Sequence, residues 1–219
     1  MAIDYTKRTA APVSLNKVTL TKAAPSVSLT KQGSSTGLLR VNLNWNSRPA
    51  KAGGFFSRWT AEPAIDLDLG CLYEFTDGSK GVVQALGNSF SASPAGVRDE
   101  VIRLDGDDRS GSNSAGENLF INLGHAHLIR RVLVFAFIYE GVPNWAEADG
   151  VVTLHPASGP QIEVRLDESR DGTRICGIAL LEPTGDGLSV RREVNYIAGG
   201  QRQLDEAYGW GLRWTSGSK

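Results

Sequence analysis

Between residues 38 and 45 the chain reads LLRVNLNW, with apolar side chains at every second position: Leu39, Val41, Leu43 and Trp45. A period of two places all four on one face of a β-strand. The same reading predicts strands over IDLDLGCLYEF (65–75) and GVVQAL (81–86). They are joined at Asp77-Gly78, a dipeptide that suits the tight turn of a hairpin. Residues 128–141, LIRRVLVFAFIYEG, replace alternation with a long apolar run. Burial on both faces explains such a run, so this strand is expected at the centre of a sheet. VVTLH, QIEVRLD, TRICGIALLEP and LSVRREVNYI follow as strands, separated by the turn-forming stretches ASGP, ESRDG and TGDG.

Nearer the start, Val18-Thr-Leu-Thr-Lys22 is echoed by Val27-Ser-Leu-Thr-Lys31 across AAPS. The period does not continue, so the echo predicts two short strands joined by a proline turn and not a repeat array. Only QRQLDEAYG (201–209) has helical spacing, with Leu204 and Ala207 three apart and Gly209 to stop it. The tail GWGLRWTSGSK is expected to dock its tryptophans and then fray. Residues 46–64 form the longest irregular stretch. Its Phe55, Phe56 and Trp59 are read as folding back over the edge of the structure, with a partner-binding lip as the alternative. These elements predict an all-β protein: a two-sheet β-sandwich with a short C-terminal helix. The organisation is a flexible N-terminal segment (1–12), one sandwich domain (13–214) and a flexible tail (215–219).

Composition narrows the function. The 219 residues are 41% hydrophobic and 21% charged, ordinary for a globular domain with a substantial core. A formal net charge of −1 leaves no broad basic surface for nucleic acid. The N-terminus lacks the apolar stretch of a signal peptide, and VLVFAFIY (132–139) is far short of a bilayer span. A cytoplasmic protein is expected. The 2 cysteines, Cys71 and Cys176, lie in apolar runs and read as reduced core residues, with a disulfide as the unsupported alternative.

Acidic residues carry the candidate chemistry. In IDLDLG, Asp66 and Asp68 share one strand face while Ile65, Leu67 and Leu69 point the other way. Two carboxylates ~4 Å apart repel by about 4 kcal/mol at an effective dielectric near 20, so such a pair needs either water or a cation. From IDLD alone both arrangements stand. The stretch DGDDRSGSNSAGEN adds Asp105, Asp107, Asp108, Asn113 and Glu117, hard oxygen donors spaced by glycine and serine. That donor set suits calcium, with magnesium second. It is not an EF-hand: counted from Asp105, position five is Arg109, position six is Ser110 and position twelve is Gly116.

Other chemistry finds less support. His125 and His127 would share a strand face, but His155 is the only other histidine and no cysteine pair completes a zinc site. No serine sits in a G-x-S-x-G elbow, and GDGLS and SSTGLL lack the lysine of a phosphate loop. Paired carboxylates on a sandwich could serve a glycosidase, although aspartates this close favour an ion over a sugar-sized gap.

IDLDLG, then GDDRSGSNSAGEN, then RRVLVFAFIYEG resemble the TerD family of bacterial tellurium-resistance and stress proteins. VSLNK…LTKAAPSVSLTKQG, LRVNLNWN and the closing YIAGGQRQLDEAYG are similar to the start and end of that family, over roughly residues 13–210. The resemblance implies a β-sandwich that binds calcium (Ca2+) in an acidic pocket. It assigns Asp66 and Asp68 to the D-x-D pair and Asp107 and Asp108 to the loop start. Gly111 matches the loop glycine, Glu117 with Asn118 falls near the loop's acidic end, and Glu140 stands where the family often has an aspartate. Asp105 completes the candidate metal set. This chain reads NSAGEN where the family has a denser acidic run, so a weaker or single site is expected.

The resemblance further implies a non-enzymatic stress-response role linked to tellurite resistance, through other stress and tellurium-resistance proteins in membrane-associated assemblies. The protein would be cytoplasmic, with a peripheral place at the inner face of the membrane. Neither nucleic acid nor a small-molecule substrate is implied. Two alternatives use the same pocket: a metal-dependent hydrolase, and a calcium-dependent membrane-binding module whose Phe55–Phe56 loop inserts beside the ion. Direct reduction of tellurite would need a reactive, exposed thiol pair, which Cys71 and Cys176 do not offer.

Overall fold

Alternation along the strands sorts the side chains into an inner and an outer layer. In the computed structural model the described residues are 17–33, 36–46, 65–105, 116–141, 145–166, 168, 172–185 and 187–215. Among them the strands form two sheets. The first, of seven strands, is ordered β1 (Lys17–Thr19), β11 (Gln161–Leu166), β10 (Gly150–His155), β3 (Leu38–Asn44), β8 (Glu117–Asn122), β7 (Ile102–Leu104), β6 (Ser91–Ala92). The second, of six, is ordered β2 (Ser26–Ser28), β13 (Gly187–Ile197), β12 (Ile175–Thr184), β9 (Ile129–Glu140), β4 (Asp66–Phe75), β5 (Lys80–Gln84). A one-turn helix α1 (Trp145–Ala148), a C-terminal helix α2 (Gln201–Tyr208) and 3-10 turns at Thr30–Gln32 and Leu123–Leu128 complete the described elements. The fold is the all-β sandwich with a short C-terminal helix that the pattern predicts.

The long apolar strand β9 lies inside its sheet, between β12 and β4. Its Val132, Val134, Ala136 and Ile138 enter the core between the sheets with Leu39, Val41 and Leu43 of β3. Its Leu133, Phe135 and Phe137 face outward and form a second apolar layer, roofed by Leu204 of α2 and by Trp210. Burying a leucine or phenylalanine stabilises by roughly 1.5–3 kcal/mol, so the roof is part of the fold and not an ornament on it. Gly70 of β4 belongs to this layer because a Cβ there would stand 2.7 Å from the Phe135 ring.

The β4–β5 hairpin turns at Asp77-Gly78 as expected: the Phe75 N–H donates to Ser79 O at 2.8 Å, and Asp77 Oδ1 accepts from the Ser79 N–H at 2.9 Å. The two echoed N-terminal segments are strands, but they part company. β1 runs parallel to β11 in one sheet, while β2 pairs antiparallel with β13 in the other. Helix α2 also departs from its expected face: Leu204 and Asp205 are buried, and Ala207 is exposed. Cys71 and Cys176 are both buried and neither is in a disulfide. Residues 1–12 and the final 216–219 lie outside the described residues, as does the stretch bearing Phe55, Phe56 and Trp59.

Candidate functional site

β5 ends at Gln84, opposite Gly70, so β4 continues past it with no strand paired on that side among the described residues. The Leu69 N–H just beyond is taken by a side chain from the other sheet, Glu117 Oε2, at 2.7 Å. Glu117 opens β8, is 2% exposed, and so ties the two sheets at this end. A hydrogen bond to a buried charge is worth about 1.5–3 kcal/mol. Entry into β8 needs Gly116: its φ is +66°, and a Cβ there would collide with Leu43 O of the adjoining β3.

Asp66 and Asp68 lie on the opposite, outer face of β4. Asp68 is paired across the ladder with Phe137 and is 1% exposed; Asp66 is 8% exposed. On β9 a bulge makes Tyr139 the extra residue, with Leu67 opposite Ile138 and Asp66 opposite Glu140. Bulges re-aim side chains, and this one turns the exposed Glu140 toward the side of Asp66. Asp66 Oδ1 and Asp68 Oδ2 are buried and accept no hydrogen bond among the described residues, although both residues engage partners through other contacts.

The remaining expected ligands are used differently. The Asp105 carboxylate accepts from the Asn118 N–H at 3.1 Å and from Asn118 Nδ2 at 2.9 Å, and the Asp105 N–H donates to Asn118 O at 3.0 Å. Asn118 Oδ1 in turn accepts from Asn42 Nδ2 at 2.9 Å. Asp105 and Asn118 thus pin the neck of the acidic loop to β3. Asp107, Asp108, Gly111 and Asn113 lie outside the described residues.

Described side chains therefore divide the sequence's ligand set into three. Asp66, Asp68 and Glu140 are on the outer face of the six-stranded sheet, Glu117 is between the sheets, and Asp105 with Asn118 close the loop neck. Among the described residues no three His, Cys, Asp or Glu groups gather closely enough to hold a metal ion. Calcium takes 6–8 oxygens. Asp66 and Asp68 fit as part of such a shell, being carboxyl oxygen donors that are nearly water-excluded and on one face. Asp105 and Asn118 bond each other and Asn42, which holds the loop neck closed.

The thiols and imidazoles offer little reactivity. Burial pushes the thiols of Cys71 and Cys176 well above their usual range, so both stay protonated and inert at neutral pH. His125 and His127 do not share a strand. They lie in a 3-10 turn over Leu123–Leu128 with ring centroids 6.3 Å apart, and His125 Nε2 is 3.3 Å from Asp99 Oδ2. Sequence reasoning missed Asp205, 3% exposed, whose Oδ1 accepts from the Gly211 N–H at 2.6 Å. Its Oδ2 accepts from the Leu212 N–H and from Trp214 Nε1, both at 2.7 Å. An acid beside the apolar Leu204, followed by the donor-rich GWGLRW, was the available signal.

No family model matches the chain. Over 207 residues, 94% of its length, it is 44% identical to tellurium resistance protein TerA of Alcaligenes sp, and spans 60% of that relative's length. Its fold matches a homologue of the telluride resistance protein TerD from Streptomyces coelicolor A3(2), at a TM-score of 0.55 and 19% identity, covering 78% of this chain and 95% of the other. A protein of unknown function, SAV2460, matches at a TM-score of 0.56 and 15% identity with the same coverage. The chain is thus similar over nearly its whole length to part of a tellurium resistance protein, and it shares its fold with a TerD homologue.

Proposed function

We propose that this protein serves tellurite resistance without catalysis, as a calcium-binding module that acts through other stress and tellurium-resistance proteins. The resistance role is supported by the TerA relative, of which this chain spans 60%. The observation that carries calcium is the burial of Asp66 and Asp68 side by side on one strand face, at 8% and 1% exposure. Carboxylates withdrawn from water need a compensating charge nearby. Asp66 and Asp68 would hold the ion, with Asp107 and Asp108 as the further ligands that the sequence suggests. A non-catalytic role is supported by the inert thiols, which could not reduce tellurite.

Partners at the inner face of the membrane belong to the same proposal. Among the described residues no helix is long and apolar enough to cross a membrane. The deciding experiment is thermal unfolding in chelator, in millimolar calcium and in millimolar magnesium. Stabilisation by calcium well above that by magnesium, lost in Asp68→Asn, supports the module. Three coincident curves would overturn it. Sedimentation with liposomes, with and without calcium, then tells a protein-directed module from a membrane-directed one.

A further inference from the structure

The outer side of the six-stranded sheet carries a cleft of about 440 Å3, within the range of small-molecule sites. Its floor is β5, where Val82 and Gln84 point away from the core, and its walls are the start of α2 and the strap that follows it. Asp205 builds that strap. By holding the Gly211 and Leu212 N–H groups and the Trp214 indole, it fixes the ring of Trp214 against the cleft.

The charge of the cleft is one-sided. Arg202 and Arg213 line it, and neither makes an ion pair among the described residues. Arg202 has one long contact, Nη2 to Trp214 O at 3.5 Å. Asp205, on the same helix, spends both oxygens on N–H donors, and Glu206 lines an adjoining cleft, which Arg202 and Arg213 also border, without pairing either arginine. The first turn of α2 has no acidic residue, so its positive dipole end adds to the field. Gln84, 5% exposed, accepts from Gln201 Nε2 at 3.3 Å through Oε1, and its own Nε2 donors have no acceptor among the described residues.

We propose that this cleft binds a small organic anion: a flat ring carrying a phosphate or carboxylate. The ring lies on Trp214 and Val82, the anionic group meets Arg202 and Arg213, and Gln84 donates to a polar edge of the ring. Guanidinium groups match either oxyanion with paired hydrogen bonds, while the indole supplies sequence-independent stacking.

The test is calorimetric titration in chelator, so that the result does not depend on calcium. The probes are adenosine 5′-monophosphate, indole-3-acetate and, as the uncharged control, adenosine. Saturable binding of either anion, with adenosine weaker, is expected. In Arg202→Ala/Arg213→Ala the affinity should fall about tenfold or more, as for loss of hydrogen bonds to a charged group. Both arginines are exposed, so the melting temperature should not move. Affinity that is unchanged in the double variant would overturn the proposal, as would failure of both anions to saturate at millimolar concentration. Binding by only one of the two identifies the oxyanion as phosphate or carboxylate.

Discussion

Asp205 and Asp68 are both carboxylates buried on the outer side of the six-stranded sheet, and they meet burial in different ways. Asp205, 3% exposed, looks onto an irregular strap whose N–H groups belong to no ladder, and it collects two of them together with an indole. Asp68, 1% exposed, pairs with Phe137 in the ladder of β4 and β9, and the open N–H of its neighbour Leu69 goes to Glu117. Backbone donors are obligatory hydrogen-bonders, so those already in a ladder are closed to a side chain. A buried acid beside coil can therefore be served by the chain itself. A buried acid within a sheet looks to side chains or to a cation.

Breaking the Asp205 side should cost most. Asp205→Ala removes the acceptor of three donors at once. A loss of about 3 kcal/mol, roughly 6–12 °C in melting temperature, is expected in thermal denaturation. A loss below a few tenths of that would show the strap to be held by its other contacts, among them the Trp210 indole, which donates to Tyr73 O at 3.0 Å, and Arg131, which donates to Gly209 O at 3.1 Å. On the Asp68 side, calcium at 100 times its dissociation constant should add about 2.7 kcal/mol, roughly 5–11 °C. Asp68→Asn should remove that gain, while Asp205→Ala, measured from its own lower baseline, should keep it.

Glu117 sharpens the contrast, because it is an expected ligand that serves a backbone donor instead. Glu117→Gln keeps an acceptor near the Leu69 N–H but removes its charge. A loss of about 1–2 kcal/mol in urea unfolding and faster exchange of the Leu69 amide are expected. The calcium response should survive; its disappearance would make Glu117 a ligand after all.

Glu163 gives the smallest effect. It is buried, and its carboxylate meets Lys17 Nζ at 2.7 Å and Arg165 Nε at 3.2 Å. The hydrogen bond from Lys17 leads in holding its carboxyl below the usual carboxylate range. A depressed carboxylate contributes stability that is present above its unfolded pKa and lost as pH falls through the folded value. The contribution should stay under about 1 kcal/mol, since Lys17 is half exposed and screened by salt. Comparing Glu163→Gln with the parent from pH 7 down to pH 3 should show the two stability curves converging toward the acid end.

Much of the fold was legible because strand periodicity records burial directly. The two-sided run of β9, the alternation of β3 and the Asp77-Gly78 turn each report a local environment that the residues themselves create. The site was less legible. Asp105 reads as a ligand from composition and Asn118 from the family resemblance, and the structure shows the two bonded to each other at the loop neck. Helical spacing picked out Ala207 where the buried neighbour of Leu204 is Asp205, because the strap lying over the helix moves the buried face around it. His125 and His127 fit strand spacing equally well, but the chain turns as a 3-10 segment before β9 begins.

By itself the sequence determined the sandwich class, the central strand, the hairpin, the closing helix and the buried thiols, since these depend on polarity over a few neighbouring residues. Only the tertiary structure decided which sheet each N-terminal strand joins, that Glu117 crosses between sheets to Leu69, and that Asp205 gathers the strap. Those contacts join residues that are remote along the chain or held by the geometry of a turn. Their partners are chosen by which backbone donors the ladders leave open, and no local pattern records that.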